Sequence, residues 1–260
     1  MGKKEHPGKR HVGRWILATL ALAVIGVAVA GYFYFDVASW QRLDPVRLQS
    51  LAQTGSIFDK DGQFVTRLVG SENRTLVALE DLPDHVVNAF LAAEDLRFYK
   101  HPGFDLVRIG GALVSNLRSG GFSQGASTIT QQLVKLSHLS SQKTIARKLE
   151  EVWLALHLEH QFSKDEILEM YLNYIYFGSG AYGVQAAAQT TFGVDAWDLT
   201  PAQAAALAAA IKAPASFSIA SAPEANLERR TYILGVMRDE GMLTQEAYDQ
   251  AVAQELTPLE

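Results

Sequence analysis

The 260-residue sequence predicts a mainly α-helical domain held to a membrane by one N-terminal helix. Three observations carry that prediction. Residues 15–35, WILATLALAVIGVAVAGYFYF, hold no charge, and at about 1.5 Å per residue they span a bilayer. From Pro83 onward, apolar residues recur at helical spacing between cap signals. Only Ser56–Val65 reads as a strand pair, with Asp61-Gly62 at its turn.

The flanks of the apolar stretch set its orientation. Residues 1–14 carry five bases (Lys3, Lys4, Lys9, Arg10 and Arg14) and one acid, Glu5. A basic tail predicts a cytoplasmic N-terminus and places everything after Asp36 outside the membrane. Tyr32 to Phe35 form an aromatic interfacial belt. A cleaved signal peptide, cut at Ala28-Val29-Ala30, is the alternative, but the apolar run exceeds a usual signal core. Residues 36–54 are a polar linker, and 55–260 form the domain.

Composition excludes several functions. The chain has no cysteine, so disulfides and thiolate metal sites are ruled out. Beyond residue 14 it holds 18 bases against 27 acids, which excludes general nucleic-acid binding. Any anion site must be a local cluster of bases.

The helices follow in order. Pro83 opens one that runs to about Arg97. A second runs from about Ser127 to Leu136, a third from Gln142 to His160. Ser163-Lys164-Asp165-Glu166 is a capping box that starts a fourth. Gly178, Gly180 and Gly183 mark a loop. Thr200-Pro201-Ala202-Gln203 caps an alanine-rich helix that ends before Pro214, and a last pair flanks Gly241.

Three groups of residues carry candidate chemistry. On the first helix Val86, Val87, Phe90, Leu91 and Phe98 share one arc, and Glu94 lies in its middle. A carboxylate there is costly to bury, and burial raises its pKa toward that of a general base. A structural Glu paired with Arg97 or Arg108 would show the same pattern. On the second helix Ser127, Gln131 and Lys135 recur every fourth residue behind Gly120, Gly121 and Gly125. Such a helix start suits oxyanions, although a polar surface face has the same spacing. On the third, Ile145, Leu149, Val152 and Leu156 define an apolar face, with Lys143, Arg147 and Glu151 opposite. Two cations four apart repel each other, an arrangement that a bound diphosphate would explain. A solvated charged face is the alternative. His157 and His160 lack a third metal ligand nearby. Ser140-Ser141-Gln142-Lys143 matches a Ser-x-x-Lys pattern without the Lys-Thr-Gly that should follow it.

Taken together, these segments resemble the family 51 peptidoglycan glycosyltransferases, found in class A penicillin-binding proteins and in monofunctional transglycosylases. Five segments carry the resemblance, in the family's order. They are Glu94-Asp95-Leu96-Arg97-Phe98-Tyr99-Lys100-His101-Pro102-Gly103-Phe104-Asp105, Gly125-Ala126-Ser127-Thr128-Ile129-Thr130-Gln131-Gln132 and Arg147-Lys148-Leu149-Glu150-Glu151. Ile167-Leu168-Glu169-Met170-Tyr171-Leu172-Asn173 follows, and Arg229-Arg230 closes the series. Gln203 departs from the family's usual Glu, Thr191 from an aromatic, and Ser216-Phe217 from Asn-Tyr.

The resemblance implies a lysozyme-like helical head and a small membrane-associated jaw at about Phe104–Gln124. It places the catalytic base on Glu94, which would deprotonate the 4-hydroxyl of lipid II, and a second essential carboxylate on Glu151. Lys135, Lys143 and Arg147 fall on diphosphate-binding positions. Asp95, Phe98, His101, Ser127, Gln131 and Gln132 fall on substrate-binding ones. The implied reaction is inverting polymerisation of lipid II onto a growing glycan chain, with undecaprenyl diphosphate leaving. The resemblance implies no obligatory cofactor and leaves Mg2+ or Mn2+ as an optional ion. The implied setting is the bacterial cytoplasmic membrane, beside other cell-wall synthesis proteins. No transpeptidase domain follows, so a stand-alone enzyme and a shortened bifunctional one are both open. A glycan-cleaving enzyme on the same head would need one protonatable Glu but no diphosphate cluster. A non-catalytic scaffold would need neither.

Overall fold

A computed structural model describes residues 73–111, 127–138 and 144–259, the strands Gly55–Phe58 and Phe64–Leu68, and positions 19, 22–27 and 30–31. The basic tail, the linker, most of the 15–35 span, most of the expected jaw and Lys143 lie outside the described residues. Among the described residues no helix is long and apolar enough to cross a membrane.

The fold is mainly helical, as the sequence predicts. Strands β1 (Gly55–Phe58) and β2 (Phe64–Leu68) pair antiparallel, with Gly55 opposite Leu68. This is the hairpin read from Asp61-Gly62. Nine helices are numbered here: α1 (Asp84–Glu94), α2 (Ile129–His138), α3 (Ile145–Gln161), α4 (Lys164–Tyr174), α5 (Val184–Phe192), α6 (Pro201–Ile211), α7 (Pro214–Phe217), α8 (Pro223–Asp239) and α9 (Gln245–Ala253). Residues 106–111 add a short helical segment.

Helix α6 is the centre of the core. Ala202, Ala204, Ala205, Ala206, Ala208, Ala209 and Ala210 are all buried with Leu207, so the helix is apolar on every side. Methyl-sized side chains let α1 and α8 approach it closely, and α5, α7 and α9 also pack on it. Its start is a capping box. The Thr200 hydroxyl accepts from the Gln203 N–H at 3.3 Å, and Gln203 Oε1 accepts from the Thr200 N–H at 2.9 Å. Gln203 therefore does what a glutamate would do there. Helix α4 starts the same way at Ser163 and Glu166.

The glycine-rich stretch after α4 is a small sheet, not a plain loop. Strands β3 (Asn73–Arg74), β4 (Tyr176–Gly178) and β5 (Ala181–Tyr182) lie in the order β3-β5-β4. Each is two or three residues long, too short for alternation to show in the sequence. The buried Arg74 donates to the Asn173 carbonyl at 3.3 Å and lies over the Tyr174 and Tyr182 rings. Gly183 has φ +85°, and a Cβ there would sit 2.9 Å from the Asn173 carbonyl oxygen. Only glycine fits that crossing.

Helix α3 corrects the sequence reading. Ile145, Leu149 and Leu156, read from the sequence as an apolar face, are 75%, 40% and 39% exposed. The buried side is instead Glu151, Leu154, Ala155 and Leu158. Hydropathy favoured the apolar stripe. The side that carries Glu151 turns inward, with the carboxylate neutralised by Arg147 and Lys148 of its own helix.

Candidate active site

Helix α1 delivers Glu94 as its last residue, with Asp95 as its C-cap. Val86, Phe90 and Leu91 are buried on the same helix. Phe98 is buried too, but in a separate turn beyond the helix end. The Glu94 carboxylate is 12% exposed. The C-terminal end of a helix also disfavours an anion. Burial holds the Glu94 pKa above the ordinary value of 4.5, against the lowering effects of Gln132, Arg229, Arg108 and Lys212. Gln132 Nε2 donates to Glu94 Oε2 at 2.8 Å, and Arg229 Nη2 stands 3.8 Å from Oε1. Arg108 donates to the Glu94 backbone carbonyl, not to its carboxylate.

Glu151 lies on α3 and is 1% exposed. Arg147 donates to one of its oxygens at 3.0 Å and Lys148 to the other. Lys148 also donates to the Ser127 hydroxyl at 2.9 Å, tying α3 to the residues leading into α2. Both Glu151 oxygens are therefore engaged by cations. Among the described residues, no group of three or more His, Asp or Glu side chains is placed to hold a metal ion. The Arg147 Nε is buried with no hydrogen-bond partner among the described residues.

The two carboxylates line one cleft of about 660 Å3, within the range of ligand pockets. Its wall also includes Arg108, Lys135, Lys212 and Arg229, so cations outnumber acids. Tyr176 and Tyr232 add exposed aromatic surface.

The structure separates the expected substrate residues into two sets. Ser127, Gln132 and Lys135 reach the cleft. Gln131 does not: it is 2% exposed, and its Oε1 accepts from the Thr128 N–H at 3.0 Å in a third capping arrangement. The helix begins at Ile129, so Ser127 precedes it, and the cleft-facing side of α2 is Gln132, Lys135 and Leu136. The spacing argument assumed a helix two residues longer. Asp95, Phe98 and His101 lie beneath the cleft. Asp95 accepts from His101 Nε2 at 3.0 Å and from the Ile129 N–H at 3.0 Å. Lys148, Lys212 and Tyr232 were not singled out from the sequence, and Arg229 appeared only as part of a motif. Lys148 had one legible signal, its place three residues before Glu151.

A buried carboxylate of raised pKa in one cleft with several cations is the arrangement of a helical acid–base enzyme. Residues 61–238 match the profile of the family described as Transglycosylase, and the chain belongs to that family. It is 45% identical over 237 residues to penicillin-binding protein 1A/1B of Bacillus subtilis (strain 168), which covers 91% of this chain and 26% of that protein. It is 42% identical over 244 residues to penicillin-binding protein 1A of Aquifex aeolicus (strain VF5), covering 92% and 34%. It is 45% identical over 215 residues to penicillin-binding protein 1A of Escherichia coli (strain K12), covering 83% and 24%. The crystal structure of penicillin-binding protein 1A from Haemophilus influenzae aligns with a TM-score of 0.47 and 26% identity, over 81% of this chain and 22% of that one. The chain thus spans about a quarter to a third of the length of the curated relatives it matches.

Proposed function

We propose that the chain is a peptidoglycan glycosyltransferase that polymerises lipid II into glycan strands for the cell wall. The observation that carries this reading is the Glu94 carboxylate, its pKa raised by burial, in one cleft with Lys135, Lys212, Arg229 and Glu151. Glu94 takes the proton of the acceptor 4-hydroxyl, and the oxygen attacks the anomeric carbon of the growing chain with inversion. The undecaprenyl diphosphate leaves toward Lys135, Arg147 and the neighbouring cations, which stabilise its charge. Glu151 holds Arg147 and Lys148 in place. Lys143 belongs to the same diphosphate site by its position in the family motif.

The reading carries a lysozyme-like head, a jaw at about residues 104–124 against the lipid, and a single-pass anchor at 15–35 with a cytoplasmic N-terminus. Exposed Leu106, Val107 and Ile109 suit an interfacial jaw. Lipid II, the growing glycan, the cytoplasmic membrane and other cell-wall synthesis proteins are its partners. A divalent ion is optional, because the cations beside Glu151 already supply positive charge. A glycan-cleaving enzyme would have no use for that charge.

The test is polymer formation from purified lipid II in detergent, with and without a chelator. Wild type should form polymer. Glu94→Gln should lose at least roughly a hundredfold in rate, the usual contribution of a general base. A fully active Glu94→Gln enzyme would remove Glu94 from the role of base.

A further inference from the structure

We infer that Tyr171 is a positioning residue for the base, acting on Glu94 through the side-chain amide of Gln132. The inference rests on the proposed role of Glu94. It stands on a chain of contacts linking three helices. Tyr171, on α4, is fully buried, and its hydroxyl donates to Gln132 Oε1 at 3.3 Å. Gln132, on α2, then donates from Nε2 to Glu94 Oε2, on α1, at 2.8 Å.

An amide has a donor end and an acceptor end of nearly equal size, so packing alone does not choose between them. Only the NH2 end can stabilise a carboxylate. The reverse orientation sets two acceptors face to face. The Tyr171 hydroxyl holds the same orientation from the other end, because it is buried and donates to the amide oxygen. Burial, with the nearby charges of Glu94 and Asp95, pushes the Tyr171 phenol well above its ordinary pKa of 10.0. The hydroxyl therefore stays protonated and remains a donor at any working pH.

The arrangement also separates the two oxygens of the base. Oε2 is taken by Gln132. Among the described residues Oε1 has only Arg229 Nη2 at 3.8 Å, beyond hydrogen-bond range. Oε1 is thus the oxygen left open for the sugar-hydroxyl proton. The other charged groups facing Glu94 are Arg108, on the 106–111 segment, and Lys212, at the end of α6. Arg229 projects from α8. Among the described residues none of these touches the Gln132 amide, which is held at its NH2 end by Glu94 and at its oxygen by Tyr171.

The experiment uses the full chain in detergent and reads Glu94 directly, by carboxyl-13C NMR titration of labelled glutamate. The signal is assigned by its loss in Glu94→Gln. Tyr171→Phe should raise the Glu94 midpoint by about one pH unit, the scale of a hydrogen bond to a charged group. Gln132→Leu should raise it at least as far, and the double variant should match Gln132→Leu alone. In lipid II polymerisation, the acid limb of kcat should move by the same amount while KM stays within about twofold. A Tyr171→Phe midpoint superposed on wild type, or shifts that add in the double variant, would overturn the inference. If Tyr171→Phe fails to fold by circular dichroism, Gln132→Leu decides, and an unmoved midpoint there overturns it. An inactive wild type would defeat the proposed function, while the titration would still decide this point.

Discussion

Asp95 Oδ2 accepts the backbone N–H of Ile129 at 3.0 Å, so the residue after Glu94 anchors the first turn of the helix that carries Gln132. The same carboxylate receives His101 Nε2 at 3.0 Å and has no solvent exposure. Glu94 and Gln132 meet because Asp95 joins the end of one helix to the start of the other.

Asp95→Ala should therefore act as a structural lesion that also abolishes activity. It strands a helix N–H and a buried imidazole, and a loss of about 3 kcal/mol in unfolding free energy is expected. Urea denaturation measures it. Stability unchanged within error would show that α2 is held by other contacts.

Glu94→Gln should stabilise the protein while inactivating it, and the gain should depend on pH. The folded pKa of Glu94 lies above its unfolded value of 4.5, so the folded state binds more protons between the two. Stability then falls as pH rises through that window. The amide does not titrate. Its advantage in melting temperature should be present at pH 8 and vanish near pH 4, where the carboxyl is neutral in both states. A constant difference across that range would contradict the raised pKa.

Arg147→Met should leave Glu151 buried with Lys148 as its sole cation. Removing one partner of a buried pair is strongly destabilising, but Lys148 stays and its side chain is 44% exposed. A loss of about 2 kcal/mol is expected, with polymerisation falling more than stability explains. The Arg147→Met, Glu151→Gln double variant should recover part of the stability and none of the rate. Recovered turnover would mean that the pair serves folding alone.

Gly183→Ala should lose about 2 kcal/mol or more, because φ +85° with ψ +155° is open only to glycine and the new methyl meets the Asn173 carbonyl. Asn173 also bonds the Val77 N–H and carbonyl, so the damage should spread to the segment entering α1. Faster hydrogen exchange at Val77 checks this. A thermal midpoint equal to wild type would refute it.

The sequence was most legible where local rules act alone. The capping boxes at Ser163 and Thr200, the hairpin and the Glu94 position needed only spacing and cap chemistry. It was least legible on α3. Apolar periodicity marked Ile145, Leu149 and Leu156 as one face, yet the buried side holds Glu151, with Arg147 half-buried beside it. Periodicity records where apolar side chains lie and carries no information about which face finds partners. The role of Gln131 was hidden for a related reason. A Gln three residues after a Thr is both a candidate ligand contact and a cap, and only the helix start separates the two. Strands β3 to β5 were too short to leave a pattern.

The all-methyl surface of α6 has a consequence for how this enzyme can change. Helix α1, which ends in Glu94, and helix α8, which carries Arg229, both rest on it. One added methylene along that helix would wedge the two apart and open the gap between the acid and its guanidinium neighbour. Drift at positions remote from the groove would thus register as lost turnover before it registered as unfolding. Selection on rate alone would keep those alanines small.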